Sequence, residues 1–441
     1  NNKRWLTGRL GYAVLECLVM ARNMYLVTFI CVLGIYGLQL VEGTKDDKEL
    51  VRKLSVEENP GCPVGESFCS NGTLIHIRSD SETDTIHFVW NFFGCPTLLL
   101  ARTQLGANLS IDWTSFISGT SGSAVFDPPE TLYTFGWSLT TIWTFLDEKD
   151  EVEMNKVNAS GVFGHDTKNF YWAKDDKDSV VSEDLVKFSM IAKDYDGQTF
   201  GEEGYIKITV QVHSKEGYGT VLPYLRHNGN SSQVDISLNK IDLNNTMTPK
   251  TRIGLGYLLV QQVPNLTGDI SVKDKIYVQK TKTLDDENSP GVFEMHSLRT
   301  PVFNSYDQSY LEWKPVSYTG IIRDIADSVD VHIYDLEDQS PIQLDDSFLW
   351  SFYGNNISTL IAQRANISFG TQGDGFFNAT PHISWSYLAG YGPPPSDTVS
   401  MLVIMTLAVG LGIPAIIIII AIIYLFTKKL STPKDDLLLG R

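Results

Sequence analysis

Alternation of apolar and polar residues with a period of two dominates the middle of the chain. The segment YIKITVQVHS places Ile206, Ile208, Val210 and Val212 on one face and polar side chains on the other, which is the pattern of a half-buried antiparallel strand. The same alternation recurs in VDISL, Val234–Leu238, and in HFVWNFF. Many short strands of this kind, separated by turn residues, predict a mainly β fold made of antiparallel β-sandwich domains.

One C-terminal run departs from this pattern because it carries no charged residue over 26 positions. This run, Met401–Phe426, would form a helix roughly 39 Å long, against a bilayer hydrocarbon core of about 30 Å. Lys428 and Lys429 follow it directly, as the positive-inside rule expects for a cytosolic flank. We therefore predict a transmembrane helix over residues 399–427, in type I orientation, with a cytosolic tail over residues 428–441.

A second apolar stretch, near the N-terminus, has the pattern of a secretory signal peptide. A basic residue, an apolar run and small residues follow one another between Arg22 and Gly43. Because the chain opens on Asn1 rather than on methionine, the residues before Met20 read as an upstream extension. We predict that residues 1–43 are this extension and a signal peptide; the alternative is a membrane anchor.

A stretch rich in glycine and polar residues interrupts the strand pattern at residues 215–233. Its sequence, KEGYGTVLPYLRHNGNSSQ, shows little alternation, so we interpret it as a boundary loop. It would separate two luminal β domains, residues 44–214 and residues 234–398. A loop-rich hairpin, AKDYDGQTFGEEGY, lies between two strand patterns on the N-terminal side of this loop.

The formal charge of the chain is −17 at pH 7. A nucleic-acid-binding protein needs a basic surface to displace counterions from phosphates, so this charge argues against a nucleic-acid partner. Residues 1–43 and 427–441 each carry a net charge of +2, which leaves −21 on the residues between them. The acidity therefore belongs to the predicted luminal part, and an acidic surface suits an acidic compartment.

Nine Asn-x-Ser/Thr sequons lie in the predicted luminal part, where chance would give roughly three or four. In NLSIDW and NISF the sequon residues alternate with apolar ones, so a core-facing strand would point Asn108 and Asn366 toward solvent. We predict N-glycosylation at Asn71, Asn108, Asn158, Asn230, Asn244, Asn265, Asn356, Asn366 and Asn378.

The predicted luminal part contains three cysteines, Cys62, Cys69 and Cys95. A disulfide in an oxidising lumen fits either Cys62–Cys69 or Cys69–Cys95, and each choice leaves one thiol over. Their spacing and the available histidines do not build a metal site. We expect neither a metal nor a cofactor.

No catalytic motif emerges from the sequence. GTSGSA, residues 119–124, lacks the final glycine of a nucleophile elbow. The acidic pair Asp147–Glu148 is of the type that glycoside hydrolysis uses, but sequence does not place a second carboxylate across a cleft. His76, His213 and His332 lie at outward or edge positions of strand patterns, where we predict surface residues. The sequence thus favours a protein that is not an enzyme.

Small residues line one side of the first half of the membrane run. Thr406 and Gly410 are four positions apart, and so are Ala408 and Gly412. Such a face lets another helix approach closely, so that van der Waals packing replaces the missing hydrophobic drive in lipid. We predict a helix-packing face for a partner with its own transmembrane helices; the alternative is a tolerated cluster of small residues.

The tail contains an acidic dileucine arrangement formed by Asp435, Leu438 and Leu439. Such a peptide docks in extended form on sorting adaptors, because the carboxylate meets a basic patch and the leucines fill shallow apolar pockets. We predict that sorting adaptors bind the tail and direct the protein to endosomes or lysosomes.

Several segments resemble the glycosylated lysosomal membrane protein family: HFVWNFFGCPTLLLART, LSIDWTSFIS, YLEWKPVSY, DDENSPGVF and, above all, HISWSYLAGYGPPPSDTVSMLVIMTLAVGLGIP. The resemblance covers nearly all of residues 70–427, and His382–Pro414 is its most specific part. It implies a heavily N-glycosylated type I protein of the lysosomal membrane. It also implies a role as accessory subunit of a lysosomal major-facilitator-superfamily transporter that exports small peptides, which it shields from luminal proteases.

The tail departs from the family pattern, in which a tyrosine-based sorting signal is expected. Tyr424 lies inside the membrane run, so the dileucine motif would have to replace that signal. Our leading hypothesis is a non-catalytic accessory and protective subunit embedded in the lipid bilayer. The alternatives are a membrane-tethered luminal hydrolase, which needs convergent catalytic side chains, and a receptor that carries luminal cargo through its sorting tail.

Overall fold

A computed structural model of the chain describes residues 51–63, 65–70, 72–243, 247–263, 274–282, 292, 294–302, 307–344, 347–354, 356–395 and 401–431. Within these ranges the chain forms 25 β-strands and five α-helices. The helices are α1 (Ser67–Ser70), α2 (Trp113–Ile117), α3 (Phe348–Tyr353), α4 (Phe376–Ala379) and α5 (Met401–Ser431).

The strands range from two to sixteen residues in length. The first thirteen are β1 (Lys53–Glu58), β2 (Leu74–Asp80), β3 (Asp84–Asn91), β4 (Thr97–Gln104), β5 (Asn108–Ile111), β6 (Ala124–Asp127), β7 (Thr131–Leu146), β8 (Val162–Asp166), β9 (Phe170–Lys174), β10 (Val180–Val181), β11 (Leu185–Tyr195), β12 (Gln198–Thr199) and β13 (Tyr205–His213). The remaining twelve are β14 (Gly217–Tyr218), β15 (Arg226–His227), β16 (Ser231–Asn239), β17 (Thr251–Gln262), β18 (Tyr277–Lys282), β19 (Glu294–Arg299), β20 (Ser309–Trp313), β21 (Val316–Tyr318), β22 (Ser328–Ile333), β23 (Glu337–Asp338), β24 (Leu360–Phe369) and β25 (His382–Tyr391).

The first sheet is antiparallel and runs in the order β1-β2-β3-β4-β7-β17-β24. Strand β7 is long enough to have two neighbours on one edge, since its N-terminal half pairs with β4 and its C-terminal half with β8. Strands β22 and β23 pair with the other edge of β24.

The second sheet is also antiparallel and runs in the order β9-β11-β13-β16-β25-β20-β19-β18. Strand β25, which precedes the apolar C-terminal helix, lies in the middle of this sheet between β16 and β20. Strand β21 pairs with both β25 and β22, so it links the second sheet to the first.

The two sheets pack face to face through a core rich in aromatic side chains. The rings of Trp137 on β7 and Tyr387 on β25 have centroids 5.6 Å apart. Phe92, next to β3, meets Phe188 of β11 edge to face at 6.3 Å. Aromatic pairs of this kind contribute about 0.5–1.5 kcal/mol each beyond the area that they bury. The predicted antiparallel β-sandwich fold is confirmed.

The burial of β13 follows the alternation seen in the sequence. Ile206, Ile208, Val210 and Val212 are fully buried, and the polar residues between them are half-buried. Every residue of β3 is buried instead. This difference arises because the outer face of β3 is covered by a second apolar cluster.

Helices α2 and α3 form this cover over the outer face of the first sheet. Phe116 of α2 packs edge to face on Phe348 of α3, with centroids 5.9 Å apart. A Cβ built on Gly136 of β7 would lie 2.6 Å from Leu349 of α3, so the glycine lets the helix approach the sheet closely.

The segment NLSIDW is strand only in its first four residues. Asp112 ends the strand pattern and caps α2, since its carboxylate accepts a hydrogen bond from the Ser115 N–H at 3.2 Å. Trp113 is therefore the first helical residue, and its side chain is buried in the outer cluster. Asn108 is exposed, as the alternation predicts.

Residues 215–233, interpreted above as a boundary between two domains, connect neighbouring strands of one sheet. Strand β13 precedes this segment, β16 contains its last residues, and the two strands pair along eight residue positions. Both sheets combine strands from the two sides of this segment. Both predicted halves therefore contribute to a single buried core, because the pairing between strands distant in sequence crosses the proposed boundary.

A buried arginine joins three acidic residues at one end of the first sheet. Arg252 of β17 is 1% exposed in its side chain and lies 2.8 Å from Asp147, 2.5 Å from Asp150 and 2.9 Å from Asp374. Its guanidinium also lies over the ring of Phe376, 4.5 Å from the centroid. This ion cluster ties the end of β7 to the turn before α4.

Candidate functional site

The apolar C-terminal helix is the most distinctive feature outside the sandwich. Helix α5 contains the predicted membrane run and continues to Ser431. Its segment Val409–Lys428 is the one stretch, among the helices described, that is long and apolar enough to cross a membrane. Most of its large apolar side chains from Val409 to Phe426 are exposed, which is the arrangement expected for a helix whose surroundings are lipid or another helix.

The small residues of α5 have open space around them. Thr406 is exposed, and a Cβ built on Gly410 or Gly412 would meet no described atom within 4 Å. Packing within the described part of this chain therefore does not require glycine at either position. Ala408 lies on the same helix, but its side chain is outside the description.

Four of the predicted glycosylation sites have exposed side chains. They lie in different parts of the sandwich: on β5, in the β7–β8 connection, before β24 and on α4. These sites are Asn108, Asn158, Asn356 and Asn378. Three further sequon residues, Asn71, Asn244 and Asn265, lie outside the described residues.

Two sequon residues are half-buried and hydrogen-bonded. The Oδ1 atom of Asn230 accepts a bond from Nε of Arg52 at 2.6 Å. The Oδ1 atom of Asn366 accepts a bond from Nε1 of Trp143 at 2.9 Å. In both residues the bond uses the carboxamide oxygen and not the nitrogen, which is the atom that carries an N-linked sugar.

Cys62 and Cys69 are joined by a disulfide, one of the two pairings that the sequence leaves open. This bridge closes the short loop before α1. Cys95 is buried between β3 and β4 and takes no part in the disulfide. The predicted upstream extension and signal peptide, residues 1–43, and the sorting motif at Asp435, Leu438 and Leu439 lie outside the described residues.

The prediction that His76 is a surface residue is wrong. Its side chain is 2% exposed, and its Nε2 lies 2.9 Å from Nδ1 of His87. Burial, together with the charge of Arg78, lowers the pKa of His76 to about 3, and burial lowers that of His87 to about 2. The error arises because the outer cluster covers this face of the sheet, which local alternation does not reveal.

The other two histidines are half-buried rather than exposed. His213 stacks on His227 with ring centroids 3.5 Å apart, and burial lowers the pKa of His213 to about 3. His332 places its Nε2 3.0 Å from the carbonyl oxygen of Gly370. Each of these histidines has a partner inside the fold.

The residues weighed for catalysis do not converge. Asp147 is buried and bonded to Arg252, whereas its neighbour Glu148 is exposed. Ser123 in the GTSGSA segment is buried. Among the residues that the structure describes, no three His, Cys, Asp or Glu side chains form a group that could hold a metal ion.

A loop between β21 and β22 presents two isoleucines to solvent. Ile321 is 71% exposed and Ile322 is 86% exposed. The next residue, Arg323, fixes the loop on the outer face of the second sheet by donating hydrogen bonds to Leu222 O at 2.5 Å and Ser384 Oγ at 3.0 Å and by pairing with Asp235 at 3.1 Å. The two apolar side chains are thus held outward by an anchored backbone.

Comparison with known proteins agrees with this architecture. The family model described as "Glycosylated lysosomal membrane protein" matches residues 73–432. The chain is 28% identical over 417 residues to the glycosylated lysosomal membrane protein of Danio rerio, covering 92% of this chain and 97% of that one. It is 26% identical to glycosylated lysosomal membrane protein B of Xenopus laevis (86% of this chain, 90% of that one) and 24% identical to the Homo sapiens protein (78% and 82%).

These names describe a membrane glycoprotein and give no enzymatic activity. The family match extends through the apolar helix α5, which fits a single-pass protein of the lysosomal membrane. With most of its length matched, the chain belongs to the glycosylated lysosomal membrane protein family.

Proposed function

We propose that this chain is a non-catalytic accessory subunit of a lysosomal major-facilitator-superfamily transporter for small peptides. Helix α5 would bind the transporter within the bilayer, and the glycosylated β-sandwich would cover the transporter's luminal loops and protect them from proteases. Sorting adaptors would recognise the tail through Asp435, Leu438 and Leu439. The observation that carries the proposal is the open small-residue face of α5.

The small-residue face of α5 contains glycines that the described part of this chain does not pack against. A glycine inside a helix costs about 1 kcal/mol relative to alanine in water, and close helix approach in lipid is the usual compensation. The space around Gly410 and Gly412 is empty of described atoms from this chain. A helix from a second membrane protein would fill it.

Replacing Gly410 and Gly412 with leucine is expected to lower the recovery of the transporter with this protein by about tenfold, because the larger side chains would prevent close helix packing and a loss of about 1.4 kcal/mol is a tenfold change in affinity. The measurement is affinity purification of the full-length chain in mild detergent, followed by mass spectrometry. The half-life of the recovered transporter in lysosomes should fall with its recovery.

The matched control replaces Ile418 and Ile420 with leucine, which conserves volume on the same helix and should leave recovery unchanged. Unaltered recovery with the two glycine substitutions would remove the proposal. Co-purification of a soluble luminal cargo in place of a membrane protein would favour the sorting-receptor alternative, and a hydrolytic activity in the purified chain would favour the tethered hydrolase.

The anchored isoleucine loop supplies a second, luminal contact in this proposal. Exposed apolar side chains on a fixed backbone are typical of protein–protein contacts. Val221, which is 43% exposed, lies beside Ile321 and Ile322 along the same cleft. We assign this surface to the luminal loops of the same transporter.

Replacing Ile321 and Ile322 with serine is expected to leave membrane recovery of the transporter in place but to shorten its lysosomal half-life at least twofold. The reason is that loss of each exposed isoleucine contact weakens binding by about 1 kcal/mol. Pulse-chase measurement of the transporter provides the test. A control substitution of Ile325, which is also exposed, shows whether the effect belongs to the pair, and an unchanged half-life would exclude this surface.

A further inference from the structure

We propose that the N-glycan of Asn366 does not extend freely into solvent. Its first sugars instead lie in a cleft on the outer face of the first sheet, stacked on the indole of Trp143. This inference goes beyond the transporter proposal and does not depend on it. It rests on the arrangement of four neighbouring strands, β8, β7, β17 and β24.

On each of the two strands that flank β7 here, the residue directly opposite Trp143 is a glycine. The tryptophan lies on β7 opposite Gly164 of β8 and opposite Gly254 of β17. Two residues further along β17, Gly256 pairs with Asn366 of β24. The glycines of β8 and β17 thus leave a shallow area without side chains around one tryptophan.

The indole fills that area and lies across the sheet. A Cβ built on Gly164 would be 2.8 Å from Cζ3 of the ring, and one built on Gly256 would be 2.6 Å from Nε1. Real Cβ atoms essentially never come within 3.0 Å of such atoms, so any larger residue would displace the ring. The two ends of the indole therefore rest over β8 and β17, and the half-buried ring borders a cleft on the outer face of the sheet.

Asn366 holds the ring at its polar end. Its Oδ1 accepts the Nε1–H of Trp143 at 2.9 Å, which orients the carboxamide and leaves Nδ2 as the site of attachment. Glycosylation forms the bond from C1 of the first sugar to Nδ2, breaks the bond from C1 to the phosphate of a lipid-linked oligosaccharide donor, and releases one amide proton. The first sugar is then attached beside the indole.

The space above the ring is a cleft of about 710 Å³, which is within the range that holds small ligands. Ser347, which directly precedes helix α3, lines this cleft. The cleft therefore lies at the edge of the region of the outer face that α3 covers. Polar and charged side chains line this cleft together with the indole; they include Thr140, Thr141, Lys168, Glu337, Gln339 and Arg364.

This lining matches the two kinds of surface on a pyranose sugar. A pyranose has an apolar face of C–H groups, which stacks on an aromatic ring, and a rim of hydroxyl and amide groups, which forms hydrogen bonds. The indole supplies the first contact, and the surrounding polar side chains supply the second. The chain's own glycan starts within this cleft, so it has a much higher effective concentration there than any free saccharide.

The test uses the full-length glycoprotein in detergent and an amidase that cleaves the bond between asparagine and the first sugar. Release is followed site by site by mass spectrometry in ¹⁸O-labelled water, which marks each converted asparagine. In the native protein, the glycan of Asn366 should be released about tenfold more slowly than the glycan of the exposed Asn108. The reason is that the enzyme acts only on molecules in which the Asn366 glycan has left the cleft. After denaturation, the two sites should be released at equal rates.

Substitution of the ring provides the matched comparison. Trp143→Ala should raise the release rate at Asn366 to that at Asn108, whereas Trp143→Phe, which keeps an aromatic face, should retain much of the protection. Trp350→Ala is the control, because Trp350 is also a half-buried tryptophan on the outer side but lies on α3 and away from this cleft.

Three results would overturn the inference. The first is an unoccupied Asn366 in the purified protein. The second is native release at Asn366 as fast as at Asn108, a comparison that needs no variant and remains decisive if Trp143→Ala fails to fold. The third is slow release that Trp143→Ala leaves unchanged, which would assign the protection to other parts of the fold.

Discussion

Replacing Arg252 with methionine is expected to lower the free energy of unfolding by about 3–5 kcal/mol, the usual cost of removing one partner from a buried ion cluster. The methionine would occupy a similar volume, but Asp147, Asp150 and Asp374 would lose their shared counter-charge. Asp147 suffers most, because its side chain is as deeply buried as that of the arginine.

The same cluster determines how this effect depends on pH. Burial alone would raise the pKa of Asp147, but hydrogen bonds from the N–H groups of Glu151 and Val152 and from Arg252 outweigh it and hold the pKa below its usual range. A carboxyl with a depressed pKa contributes stability above its unfolded pKa of about 3.9 and loses it only as the pH falls through the folded value. The contribution of Asp147 to the stability of the unaltered chain should therefore be the same at pH 7 and pH 5.

Urea unfolding of the detergent-solubilised chain at both pH values would measure the cost of removing Arg252. Arg364→Met is the matched control, since Arg364 is an exposed arginine on β24 and its loss should change stability by less than about 0.5 kcal/mol. Equal midpoints for the two variants would show that the cluster does not stabilise the fold.

Lowering the pH from 7 to 5 is expected to destabilise the fold through its buried histidines, by on the order of 2 kcal/mol for each of His76 and His87. Both side chains are neutral in the folded state because burial, with the nearby charge of Arg78, lowers their pKa values to about 3 and about 2. In the unfolded chain they bind a proton as the pH falls below about 6.5. Protons then favour the unfolded state, so stability falls with pH throughout this window.

The double variant His76→Gln and His87→Gln should remove much of this pH dependence. Glutamine retains polar atoms that can bond to Thr103, to which His87 Nε2 lies at 2.8 Å, but it does not titrate. The quantity to compare is the loss of unfolding free energy between pH 7 and pH 5, which stays informative even when the variant is less stable at both.

Phe126→Leu is the control for packing, because Phe126 contacts the His87 ring at a centroid distance of 4.5 Å and carries no titratable group. It should lower stability about equally at pH 7 and pH 5. If the double glutamine variant loses as much stability on acidification as the unaltered chain, the buried pair does not account for the acid sensitivity.

Local sequence pattern predicted the features that depend on a single strand. The alternation in β13 identifies its buried face correctly, and the uncharged run identifies α5. The pattern failed at β3, where both faces are covered. To predict that a strand is buried on both faces, one must know which elements cover its outer face. Here these are the helices α2 and α3, which come from other parts of the chain.

Pairing between distant strands accounts for the other differences. The segment at residues 215–233 looks like a linker in the sequence, yet β16 continues the sheet that β13 began. The contact between Trp143 and Asn366 depends on the register of β7, β17 and β24, over 223 positions of sequence separation. In the sequence, the only sign of this contact is the set of glycines at 164, 254 and 256. They indicate space for the Trp143 side chain only when the strand register is known.

The position of β25 has a consequence for biosynthesis. Among the strands that the structure describes, this one is the last to be made, yet it fills the gap between β16 and β20. Until Tyr391 has entered the lumen, two central edges remain open and the second sheet is left as separate pieces. The second sheet is therefore completed only when translocation is nearly finished, and luminal chaperones would need to guard its open edges until then.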